Sequence, residues 1–174
     1  EMLNGLDDLS RSIQNFMAGT RSLIFDLIPP ALYSVGVGAA VEGFAKQFGK
    51  KQGIVIDVNN QLTVRQLDPN IAVFLYKGVR ECVKNAIKHG GADRMLVSLC
   101  HSEQYIEVAV EDNGTGFTPD EDHFGLKKDS GFGLFNLKNR AEQFDGSITL
   151  AKAEKLGGGK VTVYVPHKKL EGMT

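Results

Sequence analysis

Four short signatures rich in glycine, amide or carboxylate groups follow one another in fixed order within less than half of the chain, each at the edge of a predicted regular element. Glu81 and Asn85 lie one turn apart on a helix, and Asp112-Asn113-Gly114-Thr115-Gly116 follows a strand. Gly131-Phe132-Gly133-Leu134 opens a second helix, and Gly157-Gly158-Gly159 precedes the last strand. Each alone is commonplace, since glycine turns and helical carboxylates serve packing as often as chemistry. Packing does not demand the ordered set, which points to a fold whose element ends share one pocket.

The spacing of apolar residues supplies the elements. Met2, Leu6, Leu9, Ile13, Phe16, Thr20, Leu23 and Leu27 alternate steps of four and three, a heptad seam on a helix that buries its stripe either against partner helices of a bundle or folded back onto its own domain. Pro29-Pro30 ends it, because proline lacks the amide donor and disfavours helix in the residue before it. The expected division is therefore residues 1–28 as one long bundle helix and 29–174 as a separate domain. Within that domain, Val35 to Phe48 has helical spacing, with Gly49 as its stop, and Ile54, Ile56 and Val58 alternate as a strand. Asp68 and Pro69 start a helix as N-cap and first-turn proline, and the apolar face from Ala72 to Ala86 runs on to Gly90-Gly91. Strands are predicted at Arg94 to His101 and Tyr105 to Asp112, a helix from Leu134 to Phe144 stopping near Gly146, and strands at Ile148–Leu150 and Val161–Val165. Grouped antiparallel strands with helices between them predict a two-layer α/β sandwich rather than a doubly wound parallel sheet.

With 174 residues, 42% of them hydrophobic, the chain has enough apolar surface for a real core. The net charge of -1, with only short basic runs at Lys127-Lys128 and His167-Lys168-Lys169, leaves no electrostatic footprint for nucleic acid. Cys82 and Cys100 lack metal-ligand spacing and read as reduced core residues in a cytoplasmic setting. No apolar run approaches membrane-spanning length. The chain begins at Glu1, so a piece of a longer protein, itself free to be membrane-anchored, is expected.

Glu81, Asn85 and Lys88 form a polar strip beside the apolar stripe of their helix. An amide oxygen there suits a magnesium ion that also holds nucleotide phosphates, and a carboxylate suits polarising an attacking group. His89 reads either as a helix-end cap or as a ligand contact. Ile106, Val108, Val110 and Asp112 share parity, so Asp112 continues the core-facing row and needs a partner, which an adenine amine would supply. Glycines at 114 and 116 would let backbone approach such a base. Gly131 to Leu134 precedes helical periodicity, so free amides at a helix start can face phosphates. The polar segment from Thr118 to Ser130, with Lys127-Lys128, fits either a flap over a nucleotide or a solvated loop. Together the signatures describe a nucleotide pocket.

Residues from about Arg21 to Pro166 resemble the C-terminal catalytic and ATP-binding part of bacterial sensor histidine kinases, in the nitrate-sensor-like subgroup. The stretches that carry the resemblance are RSLIFDLIPPAL, ECVKNAIKHGGA, VEDNGTGF, SGFGLFNLKNRAEQFDG and GGGKVTVYVP. The resemblance implies the Bergerat ATP-binding fold, shared with gyrase, MutL and anti-sigma serine kinases, preceded by one dimerisation-bundle helix. It implies ATP and Mg2+ as cofactors, with Asn85 ligating magnesium, Asp112 reading adenine, Gly114, Gly116, Gly131 and Gly133 shaping pocket and lid, and Gly158 supporting the base. Glu81 stands where the related ATPases keep a water-activating carboxylate. Lys88, His89, Lys128 and Leu134 complete the candidate nucleotide contacts. The implied partners are a phosphoacceptor helix of the same full-length protein, a response-regulator receiver domain and a second copy.

Two departures stand out. Gly159 takes a place where the family usually has threonine, so a hydroxyl near the adenine site is missing. The histidines, His89, His101, His123 and His167, all lie outside the heptad helix, so the resemblance puts the phosphoacceptor on a helix upstream of this chain. A non-catalytic nucleotide-binding scaffold, a serine kinase and a hydrolysing ATPase stay open as alternatives, and the heptad helix running into Pro29-Pro30 favours the sensor kinase.

Overall fold

The computed structural model describes residues 29–63, 67–117 and 132–166. The seam of residues 1–28, Lys128, Gly131, His123 and His167 lie outside the described residues. The described chain runs α1 (Ala31–Ser34), α2 (Val37–Gln52), β1 (Val55–Asn60), α3 (Pro69–Gly90), β2 (Arg94–His101), β3 (Tyr105–Asp112), α4 (Phe132–Glu142), β4 (Ser147–Lys152) and β5 (Gly159–Pro166).

The five strands form one mixed sheet in the order β1-β2-β3-β5-β4. β1 pairs with β2 in parallel and every other pair is antiparallel. A parallel neighbour requires a crossover, and α3 supplies it. α2 packs on β1, α3 on β3 and β5, and α4 on β4, β5 and α3. Alternation along the strands sends Met95, Val97 and Leu99, Ile106, Val108 and Val110, and Val161, Val163 and Val165 into the layer beneath the helices, where all are buried. The core thus lies between sheet and helices, as the two-layer expectation requires.

α3 is the central helix. Phe74, Leu75, Val79, Cys82, Val83 and Ala86 are buried along one face, and full burial of each large side chain stabilises the fold by roughly 1.5–3 kcal/mol. Its start is as predicted: the Asp68 carboxylate accepts from the amides of Asn70 at 2.7 Å and Ile71 at 3.3 Å, with Pro69 next in line. Its end is set by Gly91, left-handed at φ 63°. An apolar void of about 10 Å³ beneath Gly78, lined among others by Phe74, Cys82, Val110 and Leu137, has room for one water at most and none for a ligand.

Two boundaries differ from the sequence reading. Val35 is not the start of a long helix; it caps the short α1 and is exposed, and Gly36 at φ 99° separates the two helices. Gly49 does not stop α2, which continues to a left-handed Gly53. Gly49 is a contact residue instead: the chain folds back there, Ile54 N donates to its carbonyl at 3.1 Å, and a Cβ would stand 2.9 Å from the Ile54 carbonyl oxygen. The cysteines also differ from each other. Cys82 is buried in the core, whereas Cys100 is half-buried on the opposite face of the sheet, across from Glu107.

Candidate nucleotide site

The C-terminal end of α3, the loop after β3, the first turn of α4 and the turn before β5 meet at one end of the sheet. Asp112 lies at the centre. It ends the row Ile106, Val108, Val110 and is 8% exposed, so the parity argument places it correctly. Its Oδ1 accepts from the amides of Gly114 at 2.8 Å and Gly159 at 3.2 Å, while its carbonyl accepts from Gly158 N at 3.0 Å. Two amides on one carboxylate oxygen offset the cost of burying the charge and fix the plane of the group.

Glycine is required here because backbone packs on backbone. A Cβ on Gly158 would lie 2.5 Å from Asp112 O, Asp112 Oδ1 and Gly114 N. Gly114 presses on the Gly90 carbonyl at the end of α3, and Gly116, at φ 75°, stacks on Gly158. The glycines of the loop therefore seat chain against chain. Gly159 leaves little space for the family's threonine: a Cβ there would stand 3.0 Å from the Phe117 ring and 3.1 Å from Asp112 Oδ2.

The second half of the site lies on α3 and α4. Glu81 and Asn85 are half-buried, and Gly133 in the first turn of α4 is packed so closely on them that a Cβ would collide with the Glu81 carboxylate and stand 3.1 Å from Asn85 Nδ2. Amides in the first turn of a helix lack intrahelical acceptors and carry the positive end of the helix dipole, so a carboxylate or a phosphate is favoured beside such a turn. Leu134, counted as a contact in the sequence, is buried in the core beside Leu137 and Ala141, which leaves only its backbone for a ligand. Lys88 and His89 are exposed in the last turn of α3. His101 stands at the far end of β2 from the residues facing Asp112, with Nε2 3.0 Å from Thr63 Oγ1.

Sequence reasoning missed Asn113. Its Oδ1 accepts from Asp93 N at 3.1 Å and Arg94 N at 3.0 Å, its Nδ2 donates to Asp93 Oδ1 at 2.7 Å, and its own amide donates to Arg94 O at 3.1 Å. This clasp ties the loop carrying Asp112 to the connection between α3 and β2. The available signal was the Asx residue inside a glycine turn, which forms such bonds readily, but its partner twenty residues earlier is a tertiary fact.

The Cys82 thiol, beneath Glu81, is pushed up to about 12 by burial first and then by the Glu81 and Asp112 carboxylates. It is a packing group, not a nucleophile. Cys100 is also raised, by burial and by Glu107, with Lys160 opposing.

Residues 70–169 match the family of histidine kinase-, DNA gyrase B-, and HSP90-like ATPases. The chain belongs to that family. It is 32% identical over 165 residues to the oxygen sensor histidine kinase NreB of Staphylococcus carnosus (strain TM300), covering 92% of this chain and 46% of NreB. It is 25% identical over 166 residues to the signal transduction histidine-protein kinase/phosphatase DegS of Brevibacillus brevis, covering 95% of this chain and 42% of DegS. The chain thus spans less than half the length of these curated relatives. The fold is shared with the ATP binding domain of PrrB from Mycobacterium tuberculosis, at a TM-score of 0.59 and 23% identity over 74% of this chain and 92% of that one. It is shared too with the histidine kinase domain of the blue-light activated kinase EL346 of Erythrobacter litoralis, at a TM-score of 0.58 and 23% identity over 75% of this chain and 60% of that one. The chain is an ATP-binding domain of the sensor histidine kinase type. Among the described residues no helix is long and apolar enough to cross a membrane.

Proposed function

We propose that the domain binds Mg-ATP with the adenine amine on Asp112 and the phosphates beside Asn85 and the first turn of α4, and that the full-length protein passes the γ-phosphoryl group to a histidine on an upstream helix. The observation that carries the reading is Asp112 itself, a buried carboxylate held in one orientation by the amides of Gly114 and Gly159 and facing the layer where α3 ends. With Oδ1 so engaged, Oδ2 is the oxygen that would accept from the base. Asn85 suits a magnesium shell: it is half-buried where Gly133 of α4 packs on α3. An amide oxygen is a weaker ligand than a carboxylate, so an ion at Asn85 would draw its other ligands from phosphates and water. Magnesium would neutralise phosphate charge when bound. Glu81 would orient and polarise the attacking group, and Lys88, His89, Lys128 and Gly131 would contact the phosphates. Phosphoryl transfer needs positioning and charge neutralisation more than covalent help, which fits so spare a site.

The rest of the reading concerns the whole protein. A homodimer through the seam from Met2 to Leu27, a receiver-domain aspartate as final acceptor and a cytoplasmic location for this domain complete the scheme. The test is to incubate the full-length protein with γ-labelled ATP and magnesium. The expected product is protein-bound label that is acid-labile and alkali-stable, lost in Asn85→Ala. Acid-stable label would make the protein a serine kinase, and label found only as free phosphate would make it an ATPase.

A further inference from the structure

Two carboxylates are buried among the described residues, and the nucleotide reading uses one of them. The other is Glu111, 5% exposed, on the opposite face of the sheet from Asp112. Its Oε1 lies 3.3 Å from Lys160 Nζ, while its Oε2 is buried and meets no hydrogen-bond partner among the described residues. Lys160 keeps 30% of its side chain exposed, so the buried Glu111 carries the desolvation cost, and such a half-satisfied pair is a poor way to stabilise a fold, since apolar residues of similar volume do as well or better. Its place in the fold gives it another use.

β3 and β5 are paired from Tyr105↔Pro166 to Glu111↔Lys160, and that last rung carries the ion pair. One residue further on the regular register slips: Gly159 N turns to the side chain of Asp112, and Gly158 N donates to the Asp112 carbonyl at 3.0 Å, so the two chains stay joined but out of step. Each member of the ion pair is therefore the chain neighbour of a member of the Asp112–Gly159 contact, on the last regular rung before the slip. We propose that Glu111 and Lys160 are positioning residues for base selection, their ion pair fixing this last rung so that the Gly159 amide stays on Asp112 Oδ1 and Oδ2 stays aimed at the base. The proposal rests on Asp112 as the adenine reader.

The test separates positioning from stability by using the double variant Glu111→Leu with Lys160→Met, which replaces the pair by apolar side chains. Kd values for ATP and GTP and the thermal midpoint are measured for wild type, the double variant, Lys160→Arg and Asp112→Asn. The double variant should melt at or above the wild-type temperature while its ATP:GTP preference falls by about three- to tenfold, a coupling of the size found between residues in direct contact. Lys160→Arg, which keeps the charge, should retain the preference. Glu111→Gln, which keeps the shape and loses the charge, should give the same fall and serves where the double variant does not fold. An unchanged preference in the double variant or in Glu111→Gln, alongside its loss in Asp112→Asn, overturns the positioning role and leaves the adenine reading standing. A preference retained in Asp112→Asn overturns both.

Discussion

Replacing Asp112 by asparagine changes the chemistry of the proposed base site while sparing its architecture. The carboxylate Oδ1 receives two backbone amides, at 2.8 Å from Gly114 and 3.2 Å from Gly159, and an asparagine oxygen would keep both. Its Nδ2 would then stand in place of Oδ2 as a donor, facing the adenine amine, also a donor, or the guanine carbonyl, an acceptor. Wild-type discrimination follows from a charge-assisted hydrogen bond of about 1.5–3 kcal/mol plus the cost of leaving a buried carboxylate unpaired against GTP, so ATP should be preferred by at least about tenfold to a hundredfold. Asp112→Asn should weaken ATP by a similar factor and erase the preference or turn it toward GTP. Asp112→Ala should erase it too, with an added loss of fold stability of about 1–3 kcal/mol for each amide left without an acceptor. Calorimetric titration of both nucleotides in magnesium, beside thermal melts of each variant, measures both effects. Equal wild-type affinities for ATP and GTP would refute the reasoning.

Three further outcomes are expected. Asn85→Ala should impair ATP binding strongly in magnesium and little in chelator if, as proposed, its amide belongs to a shell completed by phosphates; equal losses in the two titrations would remove Asn85 from the ion. Gly133→Ala should lower ATP affinity at least tenfold while shifting the melting temperature only slightly, because the atom displaced is the mobile end of Glu81; a collapse of the fold in circular dichroism would assign Gly133 to packing alone. For Cys82 the folded thiol is raised from 9.0 to about 12, so the folded state holds its proton where the unfolded chain has released it. Its effect on stability is nil below pH 9 and becomes a progressive loss as pH rises from 9.0 towards 12. Cys82→Ala should flatten that alkaline slope in denaturant titrations, and an unchanged slope would contradict the burial argument.

The strands at 94–101 and 105–112 are legible to the residue because Met95, Val97 and Leu99, and Ile106, Val108 and Val110, keep one parity towards the helices and a polar turn parts the two strands. The start of α3 is equally legible, since Asp68 and Pro69 act locally. Gly49 misleads for the opposite reason: a glycine can mark a stop or a close approach, and which it is depends on Ile54 folding back upon it. The parallel pairing of β1 with β2 is likewise set by the path of the chain through α3, not by any residue in β1. In the site, Asp112 was readable from its parity, whereas the Asn113–Asp93 clasp and the Glu111–Lys160 pair are cross-chain contacts between residues that look like ordinary surface charges and amides in sequence.

The central claim is that one nucleotide spans from Asp112 to Asn85 and the start of α4. Two-dimensional amide NMR of the labelled chain titrated with Mg-ATP tests it most directly. The account predicts saturable shifts at the backbone amides of Gly114 and Gly159, the Asn85 side-chain amide and Gly133, with β1 and the far end of β2 at His101 undisturbed. Shifts confined to other surfaces, or none at millimolar Mg-ATP, would contradict it.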